Sequence, residues 1–352
     1  MNQNQSQDMF DNKLVKKNRR LFIILMGVIL VSGIAIWVLL SRSAPLEVSS
    51  SEQISVIDSL DKPVKESLFS KYFDSNRFDV DKITDSVEKE FVVYGKKLIN
   101  HTSKIIGPDV KAVAMRFSGN NLACTNCHLE GGARPYAAPF IGVWGTYPNY
   151  RGRDDILGTL ENRINGCMER SMNGKPLPLD SKEMKAMLAY IKFLNEGVPV
   201  GKQVKGQGFA PMKFPNRAAD LKHGKAVYTK SCMQCHGENG EGLKIGELEY
   251  LYPPLWGDDS FNDGAGMHRL LTAARFIKAN MPYGTPVGEP QLSNEEAYDV
   301  AAYINSFSRP EKAHKEKDYP NLELKPQDCP YPPYADTLPI EQHRLGPYVF
   351  NQ

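Results

Sequence analysis

The sequence carries almost no net charge: 43 lysines and arginines against 41 aspartates and glutamates leave a formal +2 over 352 residues. Without a field of one sign, nothing points to nucleic acid as a partner, and any electrostatic recognition must be local. Cysteine is scarce as well, six in all. The 41% hydrophobic content is ordinary for folded protein, which excludes a mainly disordered chain, and the length allows two modest domains plus extensions.

Four of the six cysteines fall in two CxxCH motifs: Cys124, Cys127 and His128 in NLACTNCH, and Cys232, Cys235 and His236 in SCMQCHG. This is the c-type haem attachment signature, in which two thiols add to the haem vinyl groups and the adjacent histidine is placed beneath the iron. A structural zinc site would pair one CxxC with another CxxC or with HxxxH and leaves both following histidines unexplained. Two covalently bound c-type haems are therefore expected. The remaining thiols, Cys167 and Cys329, could pair as a disulfide in an oxidising compartment.

Residues Leu21 to Leu40 form an uncharged, almost wholly apolar run of 20 residues, about the length that crosses a ~30 Å hydrocarbon core as a helix. Lys16, Lys17, Arg19 and Arg20 precede it. By the positive-inside rule, residues 1–20 stay cytoplasmic, 21–40 are the anchor, and everything after Ser41 lies outside. A cleaved signal peptide is the rival, but its apolar region is normally ~7–15 residues and the flank SRSAPLE offers a poor cleavage site. The expected location is the inner membrane, single-pass, with the soluble domains on the periplasmic side. Residues 41–62, polar and serine-rich, read as a tether.

An internal repeat organises the rest. Met184, Met187, Leu188, Ile191 and Leu194 follow helical spacing, and Ala297, Val300, Ala301, Ile304 and Phe307 repeat it 113 residues later, as Tyr190 and Tyr303 do. Each set closes a unit that contains a CxxCH. Phe91, Val92, Tyr94 and Leu98 open the first unit, followed by an insertion whose stretch KAVAMRFSGN alternates like a short extended segment. Ala218, Leu221, Gly224, Val227 and Tyr228 lead into Cys232, as in a minimal cytochrome c. The expected fold is all-α: two tandem class I cytochrome c-like haem domains over 63–200 and 217–310, joined by a linker at 201–216. A proline- and tyrosine-rich tail, 311–352, wraps the surface without repetitive structure.

Whether each iron has a second protein ligand separates a carrier from an enzyme. In the second unit Met281, in IKANMPYG, follows His236 by 45 residues and stands in loop-like surroundings, which gives a His236/Met281 pair. In the first unit, counting back 113 residues from Met281 reaches Met168, directly beside Cys167; Met172 is a further candidate. Methionine would make a second ordinary carrier haem. A thiolate would stabilise ferric iron and depress the potential of haem 1, favouring electron flow toward haem 2.

The combination GNNLACTNCHLEGG, RINGCMERSMNG, a second CxxCH with a loop methionine and the tail KPQDCPYPPYAD resembles the dihaem thiosulfate dehydrogenases, which join two thiosulfates into tetrathionate. The likeness runs from about Val92 to the C-terminus. It implies Cys167 as the distal ligand of haem 1 and His236 and Met281 as the ligands of haem 2. It also implies catalytic roles for Arg153, in YRGRDD, and Arg163, in ENRINGC. The N-terminal anchor departs from the many relatives that are soluble periplasmic proteins, and Asn280 stands where some relatives have lysine before the methionine.

Thiosulfate is a small dianion, so a site for two of them needs cations. Arg170 and Lys175 also flank Cys167, but Asp154, Asp155, Glu161 and Glu169 share the window, so a solvated mixed-charge surface competes with that reading. The implied reaction is thiosulfate oxidation, or tetrathionate reduction in reverse, by an oxidoreductase that passes electrons to an external carrier such as a small cytochrome c. A non-catalytic dihaem shuttle and a dihaem peroxidase are the alternatives. His101, His268, His314 and His343 are read as surface or packing residues.

Overall fold

In each half of the molecule two helices cross where one of them has no side chain. Helix α1 (Ser86–Asn100) begins at Asp85, whose carboxylate accepts from the Glu88 N–H at 2.7 Å, and buries Val92, Gly95, Leu98 and Ile99 along one face. A methyl on Gly95 would come within 2.0 Å of the Ala186 carbonyl oxygen and 2.8 Å of Tyr190 Cβ. The glycine thus lets α1 lie against the backbone of its partner, the helix that carries Tyr190. The second half repeats the device: a methyl on Gly224 would stand 2.1 Å from Asp299 O and 2.9 Å from Tyr303 Cβ.

The computed structural model describes residues 71–349, all within one unit, Val64–Gln352. After α1 the first half contains α2 (Leu160–Arg170) and α3 (Lys182–Leu194). The second is built from α4 (Leu221–Ser231), α5 (Leu270–Asn280) and α6 (Asn294–Asn305). The caps explain the boundaries. Thr159 and Asn162 form a capping box on α2, Ser181 accepts from Met184 N–H on α3, and Ser293 and Glu296 box the start of α6. Core side chains of α1 and α3, including Leu98, Met184, Met187 and Leu194, form one buried cluster; those of α4, α5 and α6, including Tyr228, Leu270, Ala301 and Ile304, form another.

The helix-rich fold departs from a pure all-α class by two short antiparallel hairpins, β1 (Asn149–Arg151) with β2 (Ile156–Gly158), and β3 (Leu243–Lys244) with β4 (Tyr250–Tyr252). KAVAMRFSGN is not a strand. It makes a 3-10 turn at Val113–Met115, then meets residues 172–175 through single bonds, Lys175 N to Phe117 O and Gly119 N to Met172 O. The two backbones pass closely at this contact, where a methyl on Gly119 or Gly174 would lie 2.0 Å from the facing backbone oxygen.

The tail is mostly irregular, as expected, but contains a short helix, Ile340–Leu345. It is tied to both halves. Tyr319 N–H donates to Arg153 O at 2.7 Å; Asp328 accepts from Arg269 Nε at 2.8 Å and from Leu271 N–H at 3.0 Å, which caps α5; Leu345 O accepts from Ala219 N–H and from Tyr298. No helix among the described residues is long and apolar enough to cross a membrane. The run Leu21–Leu40 and the tether lie outside the described residues.

Candidate active site

Each CxxCH closes a tight turn, Cys124–Asn126 as 3-10 and Met233–His236 as α, which brings its histidine round beside its cysteines. His128 shares a 2.5 Å hydrogen bond through Nδ1 with Ala138 O, and His236 one of 2.9 Å with Pro253 O. A backbone carbonyl can only accept, so Nδ1 carries the proton and Nε2 is left with its lone pair, the arrangement of a ligating imidazole. Burial also pushes His236 toward its neutral form. Among the described residues no three His, Cys, Asp or Glu side chains converge as a structural zinc site requires.

The cysteines separate by chemistry. Burial pushes the Cys124 and Cys232 thiols up to about 11 and Cys127 up to about 12. Cys167 is equally removed from water, which opposes its thiolate. It is nevertheless lowered to about 6, chiefly because the Arg163 guanidinium beside it opposes the burial. Arg163 Nη1 donates to Cys167 Sγ at 2.9 Å, a contact fixed by their i, i+4 spacing on α2. Met168, the neighbouring residue, is 1% exposed in the first core cluster. All six cysteines are free, so Cys167 and Cys329 are not paired; Cys329 is buried with Tyr319 and Tyr331.

Two adjoining spaces share Cys127, His128 and Cys167. One is narrow and apolar, lined by Ile99, Leu122, Phe140, Met168, Met172 and Met187 among others. The other, about 460 Å³, opens on the polar side and is lined by Arg151, Arg153, Arg163, Arg170, Tyr147, Ser171 and Tyr319. Arg153 donates to Gly264 O at 2.6 Å, lies 3.6 Å from Asp318 and stands over the Tyr319 ring.

In the second half Met281 is the first residue beyond α5, packed against the same cluster as Cys232. Tyr252 stands 6.2 Å from the His236 ring, and the neighbouring Cys235 pushes its phenol up. Asn280, expected in a loop, is instead the buried last residue of α5, because its amide donates to Phe276 O at 3.0 Å and to Tyr136 O at 3.3 Å. Its Oδ1 accepts from Arg134 Nε at 3.1 Å.

Comparison with known proteins identifies the family. Residues 115–200 match the SoxA/TsdA cytochrome c domain and residues 221–308 match the cytochrome c domain. The chain is 44% identical over 232 residues to the thiosulfate dehydrogenase of Allochromatium vinosum, covering 65% of this chain and 82% of that protein. The chain belongs to the thiosulfate dehydrogenase family. The relative from Psychrobacter arcticus is 43% identical over 227 residues, 64% of this chain and 66% of that protein. The chain thus spans just under two thirds of that relative's length. A solved structure of the thiosulfate dehydrogenase TsdBA of Marichromatium purpuratum superposes with a TM-score of 0.61 at 37% identity, over 66% of this chain and 49% of that one.

As a member of this family the chain carries two covalently bound c-type haems. Its residues fit them: paired thiols beside a histidine with Nε2 free at both motifs, and at the first motif an apolar slot next to a polar opening. Of the cations flanking Cys167 in sequence, Arg153, Arg163 and Arg170 reach the cavity. Lys175 does not; it lies over the Phe117 ring. His101 caps α1 and shares a 2.7 Å contact with Glu249, His268 and His343 are held by backbone carbonyls, and His314 is exposed. Arg151 escaped the sequence reading although it precedes Arg153 by two residues. Tyr319 and Asp318 carried no local signal, since they come to the cavity only through the fold of the tail.

Proposed function

We propose that this protein joins two thiosulfates into tetrathionate, or runs the reverse reaction, at Cys167. The observation that carries the reading is a half-buried cysteine that lines one cavity with His128 and is bonded to Arg163 at 2.9 Å, in a family whose curated relatives are thiosulfate dehydrogenases. His128 and Cys167 would hold the iron of haem 1, and His236 and Met281 that of haem 2. The haems, when bound, supply one-electron acceptance and pass electrons to an external carrier such as a small cytochrome c.

The side chains do the remaining work. Arg153 and Arg163 hold the first thiosulfate and offset its repulsion with the Cys167 thiolate. Its terminal sulfur bonds to Cys167 Sγ, giving Cys–S–S–SO3⁻ with the loss of two electrons. A second thiosulfate then attacks the outer sulfur of that adduct. Tetrathionate leaves, the Cys167 thiolate returns, and no further electrons move. In the cell the run Leu21–Leu40 anchors the protein in the inner membrane, with residues beyond Ser41 on the periplasmic side.

Cys167→Gly tests the reading. The variant is expected to keep both haems attached and to lose thiosulfate-dependent haem reduction in stopped-flow spectra. Full reduction at the wild-type rate would end the role of Cys167.

A further inference from the structure

Two of the four arginines around the cavity carry a buried donor with no partner. Arg163 is engaged with Cys167, and Arg153 with Gly264 O and Asp318. Arg151, at the end of β1, bonds Asp154 through Nε at 2.8 Å and also through Nη2, but its Nη1 is buried without a partner. Arg170, 8% exposed at the end of α2, bonds Asp318 through Nη2 at 2.6 Å and lies 3.8 Å from Asp154, while its Nε is buried without a partner. Both guanidiniums converge on the residue before Cys167: a methyl on Gly166 would stand 3.1 Å from Arg151 Nη2 and 3.7 Å from Arg170 Nη1. Both side chains line the cavity beside Cys167 and can offer an acceptor there the donors that Asp154 and Asp318 leave open.

The charges agree. Arg151, Arg153, Arg163 and Arg170 face two carboxylates, Asp154 and Asp318, and the Cys167 thiolate, so four positive charges less three leave an excess of one. Asp154 and Asp318 grip the guanidiniums from behind, which fixes their orientation before any anion arrives. The chemistry recognised is an oxyanion with several acceptor oxygens, either the sulfonate of thiosulfate or a haem carboxylate.

We propose that Arg151 and Arg170 form a second oxyanion subsite that takes the sulfonate of the incoming second thiosulfate. The proposal rests on thiosulfate being the substrate. In the step it serves, the terminal sulfur of the second thiosulfate bonds to the outer sulfur of Cys167–S–S–SO3⁻ while the bond from Cys167 Sγ to that sulfur breaks. Sγ leaves as the thiolate, and neither electrons nor protons are exchanged. Arg151 and Arg170 hold the attacking dianion beside an adduct that is already anionic.

The test separates this step from oxidation. Full-length protein with both haems is loaded at Cys167 by excess tetrathionate, Cys–S⁻ + S4O6²⁻ giving Cys–S–S–SO3⁻ + S2O3²⁻, and freed of reagent. Loss of the adduct after adding thiosulfate is then followed by intact mass. Arg151→Gln is expected to clear the adduct at least tenfold more slowly than wild type, Arg151→Lys to fall between, and the potential of haem 1 to stay unchanged in both. Clearance at the wild-type rate in both variants overturns the proposal. Wild-type clearance together with a shifted haem 1 potential assigns the pair to the haem carboxylates and overturns it as well. Failure of the wild type to take up the adduct strikes the reading of Cys167 itself, a result distinct from either.

Discussion

As a rule burial in apolar surroundings pushes a thiol up, and Cys124, Cys127 and Cys232 follow it before the haems are attached. Cys167 breaks it because one guanidinium lies 2.9 Å from its sulfur. Arg163→Gln would leave the burial and remove the charge that opposes it. Since the thiolate is present above the thiol pKa and lost as pH falls through it, the variant should lose its thiolate signature at higher pH than wild type. A pH titration of the near-infrared and electron-paramagnetic spectra of the ferric protein reads this directly; coincident titrations of variant and wild type would remove Arg163 from the control of Cys167. In the sequence Arg163 was one of four cations flanking Cys167, and it was the resemblance carried by RINGCMERSMNG, not spacing, that singled out the pair over Met168 and Met172. Arg151 and Asp318 were not legible there. Arg151 carried no signal of its own until the hairpin brought it beside Gly166, and Asp318 reaches Arg170 across 148 positions, a separation that no local pattern encodes.

Between helices the decisive feature is an absent side chain. Gly95 and Gly224 let α1 and α4 lie against α3 and α6, with Tyr190 and Tyr303 at the same point of each crossing. The 113-residue repeat was visible because burying one face forces helical spacing on apolar residues, whatever else the sequence must do. KAVAMRFSGN misled for the complementary reason: alternation marks a strand only where a neighbour offers an edge, and Val113 is 67% exposed. Gly224→Ala tests the crossing. The methyl would meet the Asp299 carbonyl at 2.1 Å, and because backbone cannot step aside as a side chain can, the cost should be about 2–3 kcal/mol. Chemical denaturation of the holoprotein would measure it, with the first half retaining its spectrum longer than the second. Wild-type stability would mean that the helices can slide apart without loss.

At the scale of the whole chain the two halves are held together by contacts that neither CxxCH announces. The tail grips both, through Tyr319 on Arg153 and Asp328 on Arg269. Arg134, six residues after His128, reaches into the second half, donating to Asn280 Oδ1 at 3.1 Å and to Thr285 O on either side of Met281. The segment proposed to hold the iron of haem 2 is thus braced by a side chain that follows haem 1. Arg134→Ala would leave the buried Asn280 Oδ1 without this donor, a loss of about 1–3 kcal/mol, concentrated on the residues flanking Met281. Methionine should then dissociate from ferric haem 2 more readily, by about tenfold for each 1.4 kcal/mol that reaches it. Its charge-transfer band should fade at lower temperature and the haem 2 potential should fall, while haem 1 keeps its spectrum. Arg134→Lys, which retains the charge but not the two-sided reach, should lie between. If the band and the potential of Arg134→Ala match wild type, the brace has no hold on Met281, and the two haem environments are set independently within their own halves.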